Sequence, residues 1–259
     1  MTQQARNTLM WCDEQGVTPR FLIRDANTKF SASFDTVCAM KMLLAKGFRG
    51  KARRLTDIDI PRIGHRISVG EDEIHAVMDV EARKGGFDKQ GRPTMLFEPH
   101  IFWRELGAGP KRDAAAQVGL ARAKWVRDYP ADSYPRLLKA IAIDADAALR
   151  SASWGLGQVM GFNCGLAGYD SAKDMVTAFL DSEAAHLDAM VSFIISAGLA
   201  PALRAHDWDA FARGYNGPAY AENRYHTRLN ERFEWWPKVP DTPWTPDCMG
   251  SHCPMEAAP

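Results

Sequence analysis

Glu81 is the residue whose setting most clearly allows chemistry. Helical spacing from Ile74 runs through Val77 and Met78 to position 81, so the carboxyl group falls on an apolar stripe. It also sits one turn before Gly85-Gly86, near a helix C-terminus, where the helix dipole disfavours negative charge. Burial and dipole both raise a carboxyl pKa. An acid that keeps its proton near neutral pH can protonate the leaving oxygen of a glycosidic bond. The alternative is a glutamate paired with Arg83 or Lys84.

Three further stretches carry polar groups among glycines or aromatics. In Ser151 to Met160, Gly155 and Gly157 permit close backbone approach to a ligand, and Trp154 and Gln158 could stack on and hydrogen-bond to a sugar; a tight helix–helix connection is the alternative. Gly214 and Gly217 flank Tyr215 and Asn216, a turn that offers a phenol and a carboxamide, or simply a connector. Glu98 and His100 lie between large apolar residues, as a structural pair or as the second half of a site, with Glu98 orienting water or stabilising an oxocarbenium ion. No second His or Cys stands at ligand spacing from His100, so neither a metal nor another cofactor is expected.

The elements that would hold these residues are mostly helical. Thr56 with Asp59 suggests a cap ahead of Ile60, Ile63 and Ile67, and a Gly70-Glu71 start opens the helix of Glu81. Pro93 to Trp103 reads as extended or irregular. Leu137, Leu138 and Ile141 start a helix running toward Leu149. Ser171 and Asp174 cap one long helix ending at Gly198, a shorter one carries Trp208 and Phe211 to Gly214, and the last spans about 219–233. Strand signals are weak; one short strand is expected at Arg20 to Arg24. Five prolines after position 236 exclude regular structure there, leaving an ordered strap and then a loose end.

Composition sets the limits. The 259 residues, 46% of them hydrophobic, can bury a sizeable core. With 32 basic and 32 acidic side chains there is no global field to draw the chain to nucleic acid, and the basic run Arg49 to Arg54 reads as a solvated linker. Five irregularly spaced cysteines form no disulfide framework and suggest a reducing compartment. Cys248 and Cys253 could bind metal or close a loop, in what is otherwise a disordered tail. The N-terminus lacks a secretory pattern and no stretch reaches the ~20 apolar residues that span a bilayer, so neither secretion by signal peptide nor stable membrane association is expected.

Taken together, a Glu ending an apolar helix, Gly155-Leu156-Gly157-Gln158 and Gly214-Tyr215-Asn216-Gly217-Pro218 resemble the lysozyme-like superfamily in that order. The second and third runs are similar to signatures of lytic transglycosylases and goose-type lysozymes, but Ala82 stands where those enzymes usually carry Ser. Residues 48–236 resemble more closely the N-acetylmuramidase family of phage and prophage endolysins, through Val80-Glu81-Ala82, Gly91 to Phe102, Ala152 to Asn163 and Phe211 to Tyr220. That resemblance implies a mainly α, lysozyme-like helical domain with a small irregular or β region at the cleft. It implies hydrolysis of the β-1,4 bond between N-acetylmuramic acid and N-acetylglucosamine in peptidoglycan glycan strands. Glu81 would be the general acid and Glu98 the second carboxylate, with Trp154, Gln158, Tyr215, Asn216 and His100 lining the cleft. It further implies a monomer that reaches the wall through a holin-type lesion.

Residues 1–47 are set apart. Runs within about 2–38 resemble a fragment of an integrase-core transposase, with Asp25 matching one catalytic aspartate, but the other acidic residues are missing and a two-metal site cannot form. The fragment is read as non-functional. Residues 237–259 form the Pro-rich tail. The rival readings are a lytic transglycosylase that leaves 1,6-anhydro ends and a non-catalytic wall-binding module.

Overall fold

The computed structural model describes residues 40–82 and 85–246. The strand expected at Arg20 to Arg24, Asp25, the side chains of Arg83 and Lys84, and the Cys248–Cys253 pair lie outside them. Contacts divide the chain into two units, residues 1–48 and 49–259. In the first, the described part is a short helix, 40–45, closed by bonds from Lys46 N to Met42 O and Phe48 N to Leu43 O.

The second unit is built from α1 (Asp59–His65), α2 (Glu71–Glu81), β1 (Met95–Phe97), α3 (Pro99–Leu106), α4 (Pro110–Gln117), α5 (Tyr134–Ile143), α6 (Ala145–Arg150), β2 (Ala152–Trp154), β3 (Val159–Met160), α7 (Ala172–Phe179), α8 (Glu183–Ser196), α9 (Ala200–Arg204), α10 (Trp208–Asn216) and α11 (Tyr225–Phe233). Helix α8 is buried almost all round, through His186, Leu187, Met190, Val191, Phe193 and Ile194, as expected of a central helix. The three strands form one antiparallel sheet in the order β1-β2-β3, with Met95 opposite Trp154 and Trp154 opposite Val159. Trp154, Phe97 and Phe102 are fully buried beside it.

Local sequence accounts for most element boundaries. The α2 start is a capping box in which Glu73 accepts from Gly70 N, and Ile74, Val77 and Val80 face the core. Near Thr56, Asp59 accepts from both the backbone N and the hydroxyl of Thr56, so the cap shapes the turn that leads into α1.

Several boundaries depart from the sequence expectation. Pro99 opens α3 at its first turn, where a missing N–H costs nothing, so Pro93 to Trp103 is a strand followed by a helix. The helix toward Leu149 breaks at Asp144, whose extended backbone and side-chain bond to Ala147 N start a second helix. The long helix 171–198 is also two helices. Ser182 is extended, caps α8 through Ala185 N, and bridges Arg53. That bridge makes the basic run structural, not a solvated linker. Arg53 N donates to Asp181 O and Ala52 N to Leu180 O, while Arg53 and Lys51 pair with Asp181. The last helix begins at Tyr225, six residues later than expected, after a 3-10 turn at Pro218–Tyr220 and a left-handed Arg224.

Helix α11 packs along α2 and fixes its C-terminal half. Arg228 donates to Val80 O (2.7 Å), and Arg232 makes two bonds to Asp79 Oδ2 (2.8 and 2.6 Å). The strap continues this clamp. Trp236 stacks on His75 at 3.8 Å and donates to Asp79, and Thr242 N donates to Glu71.

Candidate active site

Glu81 is the last residue of α2, and no basic residue in that final turn offsets the helix dipole. Its side chain is half-buried. Asn216 Nδ2 donates to Oε1 at 2.7 Å, and Arg228 lies near enough to act electrostatically. Burial is the largest influence and raises the pKa from the ordinary 4.5 to about 7; the Asn216 bond and Arg228 oppose it but do not cancel it.

A ring of bonds joins the three motifs around this carboxyl. Past the end of α2, Thr94 donates through Oγ1 to Gly85 O and through N to Gly86 O, both at 2.7 Å. Thr94 O accepts from Gly155 N (2.8 Å). Tyr215 Oη donates to Gly157 O (2.7 Å), and Asn216 returns to Glu81. Tyr215 and Asn216 are not in a loop: they are the last two residues of α10, which Gly217 terminates at φ 78°. Helical geometry thus sets the direction of both side chains.

Behind the ring stands His186, 0% exposed, with Nε2 on Phe179 O at 2.8 Å. Burial lowers its pKa to about 4 and keeps it neutral, so Nε2 carries the proton that Phe179 O accepts. Beside it Glu183, 5% exposed, takes Gly86 N, Arg54 Nη1 and Leu55 N. The glycines expected to approach a ligand approach protein instead. A Cβ on Gly155 would lie 2.7 Å from the His186 ring, and one on Gly157 2.7 Å from Met190. Neither His186 nor Glu183 carries a motif signal, because tertiary packing alone brings them to the turn.

Two of the expected cleft residues serve the scaffold. Trp154 is 0% exposed, with its indole N–H on Leu149 O, so it presents no face to a sugar. Gln158 adopts a left-handed conformation (φ 46°) and donates to Gly155 O (2.8 Å) and weakly to Thr94 O, while accepting from Ser153 Oγ. It braces the β2–β3 hairpin and has no donor left over. Asn216 retains one unused group, its enclosed Oδ1.

Glu98 is the residue just before α3, makes no capping bond with its side chain, and is 14% exposed there. Tyr129 Oη donates between its two oxygens (3.1 and 3.0 Å), and His100 Nδ1 lies 3.3 Å from Oε2. Tyr225 relates the two carboxylates. Its phenol pKa is raised by burial first, then by the charge of Glu81 and, more weakly, that of Glu98. The charges of both acids thus act on one phenol of α11. Tyr129, Tyr225 and Arg228 escape sequence reasoning, since no fixed spacing relates them to the motifs. Among the described residues no cluster of three His, Cys, Asp or Glu could hold a metal ion, and no helix is long and apolar enough to cross a membrane.

A helical body with a three-stranded antiparallel sheet and a half-buried glutamate defines a lysozyme-like glycoside hydrolase. The N-acetylmuramidase family model matches residues 71–237, and the chain belongs to that family. Among solved structures it is similar to a Burkholderia AP3 phage endolysin, with 31% identity, a TM-score of 0.63, and coverage of 92% of this chain and 95% of that one. A comparison with curated proteins found no match. The protein is a peptidoglycan-hydrolysing muramidase of the endolysin type.

Proposed function

We propose that Glu81 is the general acid in cleavage of the β-1,4 bond between N-acetylmuramic acid and N-acetylglucosamine. The observation that carries this reading is a half-buried carboxyl at the end of α2 whose pKa is raised to about 7 and whose one direct hydrogen-bond partner among the described residues is a neutral amide. Near neutral pH a substantial fraction keeps its proton. With Oε1 held by Asn216, Oε2 delivers the proton to the glycosidic oxygen. The Asn216 bond and Arg228 then stabilise the carboxylate that forms, because both interact more strongly with the ionised acid.

Glu98 takes the second role, orienting water or stabilising the oxocarbenium ion. Its support is the charge it exerts on the same Tyr225 that Glu81 influences, and the hydrogen bonds it accepts from Tyr129. Asn216 acts by holding Glu81, and His100 sits at the Glu98 edge of the site. Access to the wall from inside the cell is by a holin-type membrane lesion.

The test is mass spectrometry of muropeptides released from purified peptidoglycan by the wild type beside Glu81→Gln. Reducing N-acetylmuramic acid ends from the wild type and almost none from the variant are the expected result. Ends in the 1,6-anhydro form would convert the assignment to a lytic transglycosylase. Release by Glu81→Gln at the wild-type rate would remove Glu81 from the mechanism.

A further inference from the structure

The segment 118–133 between α4 and α5 has no regular secondary structure, yet it is firmly tied down. Arg122 N donates to Pro99 O at the start of α3, and its guanidinium makes two bonds to Asp128 (3.0 and 2.8 Å). Arg136 of α5 donates to the same carboxylate and to Asp128 O. The two guanidinium groups hold the Asp128 carboxyl down at about 2, so the clamp persists through any working pH. On this clamped loop Trp125 is 53% exposed and Val126 is 47% exposed. A rigid loop that holds a large indole out in water asks for a ligand.

The indole is tethered at one edge. Trp125 Nε1 donates to Tyr129 Oη at 2.7 Å, and Tyr129 Oη donates onward to both Glu98 oxygens. The direction is fixed by chemistry: an indole N–H can only donate, an ionised carboxylate can only accept, and the phenol has one hydrogen. Tethered by its edge, the indole leaves ring surface exposed. A shallow, open depression lies beside the same loop, lined by Arg127, Asp128, Tyr129, Pro130 and Arg136.

We propose that Trp125 is a sugar-stacking platform for the glycan strand and that Trp125 and Tyr129 are positioning residues, which set Glu98 through the relay Trp125 N–H to Tyr129 O–H to carboxylate. A pyranose seated on the indole holds the ring in place, and the ring in turn holds the phenol that orients the second carboxylate. Substrate binding and Glu98 geometry are thereby coupled. The proposal rests on the role of Glu98 given above.

The test uses the whole chain and soluble glycan strands from amidase-treated peptidoglycan, so that kcat and KM separate. Tyr129→Phe and Trp125→Phe keep an aromatic ring but break the relay; each is expected to lower kcat about tenfold with KM within about twofold. Trp125→Ala is expected to raise KM about tenfold as well. In a Glu81→Gln background, calorimetry should show about tenfold weaker glycan binding for Trp125→Ala and little change for Trp125→Phe. Wild-type kcat in both Phe variants overturns the relay, and unchanged binding in Trp125→Ala overturns the platform. Glu98→Gln is measured in parallel. If it is inactive while Tyr129→Phe retains wild-type kcat, the relay alone fails; if Glu98→Gln is fully active, the assigned role of Glu98 fails first.

Discussion

Replacing Glu81 with Gln should stabilise the protein while abolishing its activity, and the gain should depend on pH in one direction. The folded carboxyl titrates at about 7 against an ordinary value of 4.5. Between those values the unfolded chain has released its proton and the native chain still holds it, so native stability falls as pH rises through the window. At about 1.4 kcal/mol per unit, the full loss above the folded pKa is about 3 kcal/mol. Gln is nearly isosteric, can still accept from Asn216, and carries no charge to desolvate. At about pH 8 the variant should therefore exceed the wild type by up to about 3 kcal/mol, whereas near pH 4 the two should coincide. Water admitted around the ionised carboxylate lowers the gain, so about 1–3 kcal/mol is expected, or roughly 3–9 °C in Tm for a body of this size. Thermal unfolding of both proteins from about pH 4 to 8 measures it. Equal Tm values at the alkaline end, or a gap that widens toward acid, would refute the claim that burial raises this carboxyl.

Other outcomes follow from the same geometry. Asn216→Ala removes the direct donor to Glu81, so the alkaline limb of the pH–rate profile, where the acid loses its proton, should move up by about 1 unit; no movement or a downward shift argues against the bond. Gly157→Ala places a methyl 2.7 Å from Met190 and 2.9 Å from Tyr215 Oη, and should cost about 1–3 kcal/mol in urea unfolding. Trp236→Ala loses the stack on His75 and the bond to Asp79, and should lower stability by about 2–3 kcal/mol; an unchanged midpoint would show that the strap contributes nothing.

The position of Glu81 was legible because it follows Ile74 and Val77 at helical spacing, although the helix ends at Glu81 itself, ahead of the glycines expected to stop it. Asn216 was legible as a polar group beside Gly217, but its reach to Glu81 depends on α10 running on to that residue, which the glycine at 214 obscured. The helix breaks at Asp144 and Ser182 are visible afterwards as caps, yet in each case the apolar periodicity runs on past the break. Trp154 misled for a related reason: an indole beside glycines looks like a ligand platform, and only the pairing of β2 between β1 and β3 shows that it is buried. A more exposed indole, Trp125, stands in a stretch with no periodicity. Tyr225, Arg228 and His186 reach the site through helix packing, a relation between distant segments that no local pattern encodes.

The Glu183 junction bears on how this enzyme could be cut down or spliced into chimeric lysins. The matched family segment opens at residue 71, yet Glu183, which holds Gly86 behind Glu81, draws its guanidinium and one of its amides from Arg54 and Leu55. A fragment starting at residue 71 would strand an almost fully enclosed anion. Stranding a buried charge costs about 3 kcal/mol or more, a large share of the roughly 5–15 kcal/mol that keeps a domain folded. The shortest transplantable lytic unit therefore begins near residue 50, some twenty positions ahead of where the match to the family model starts.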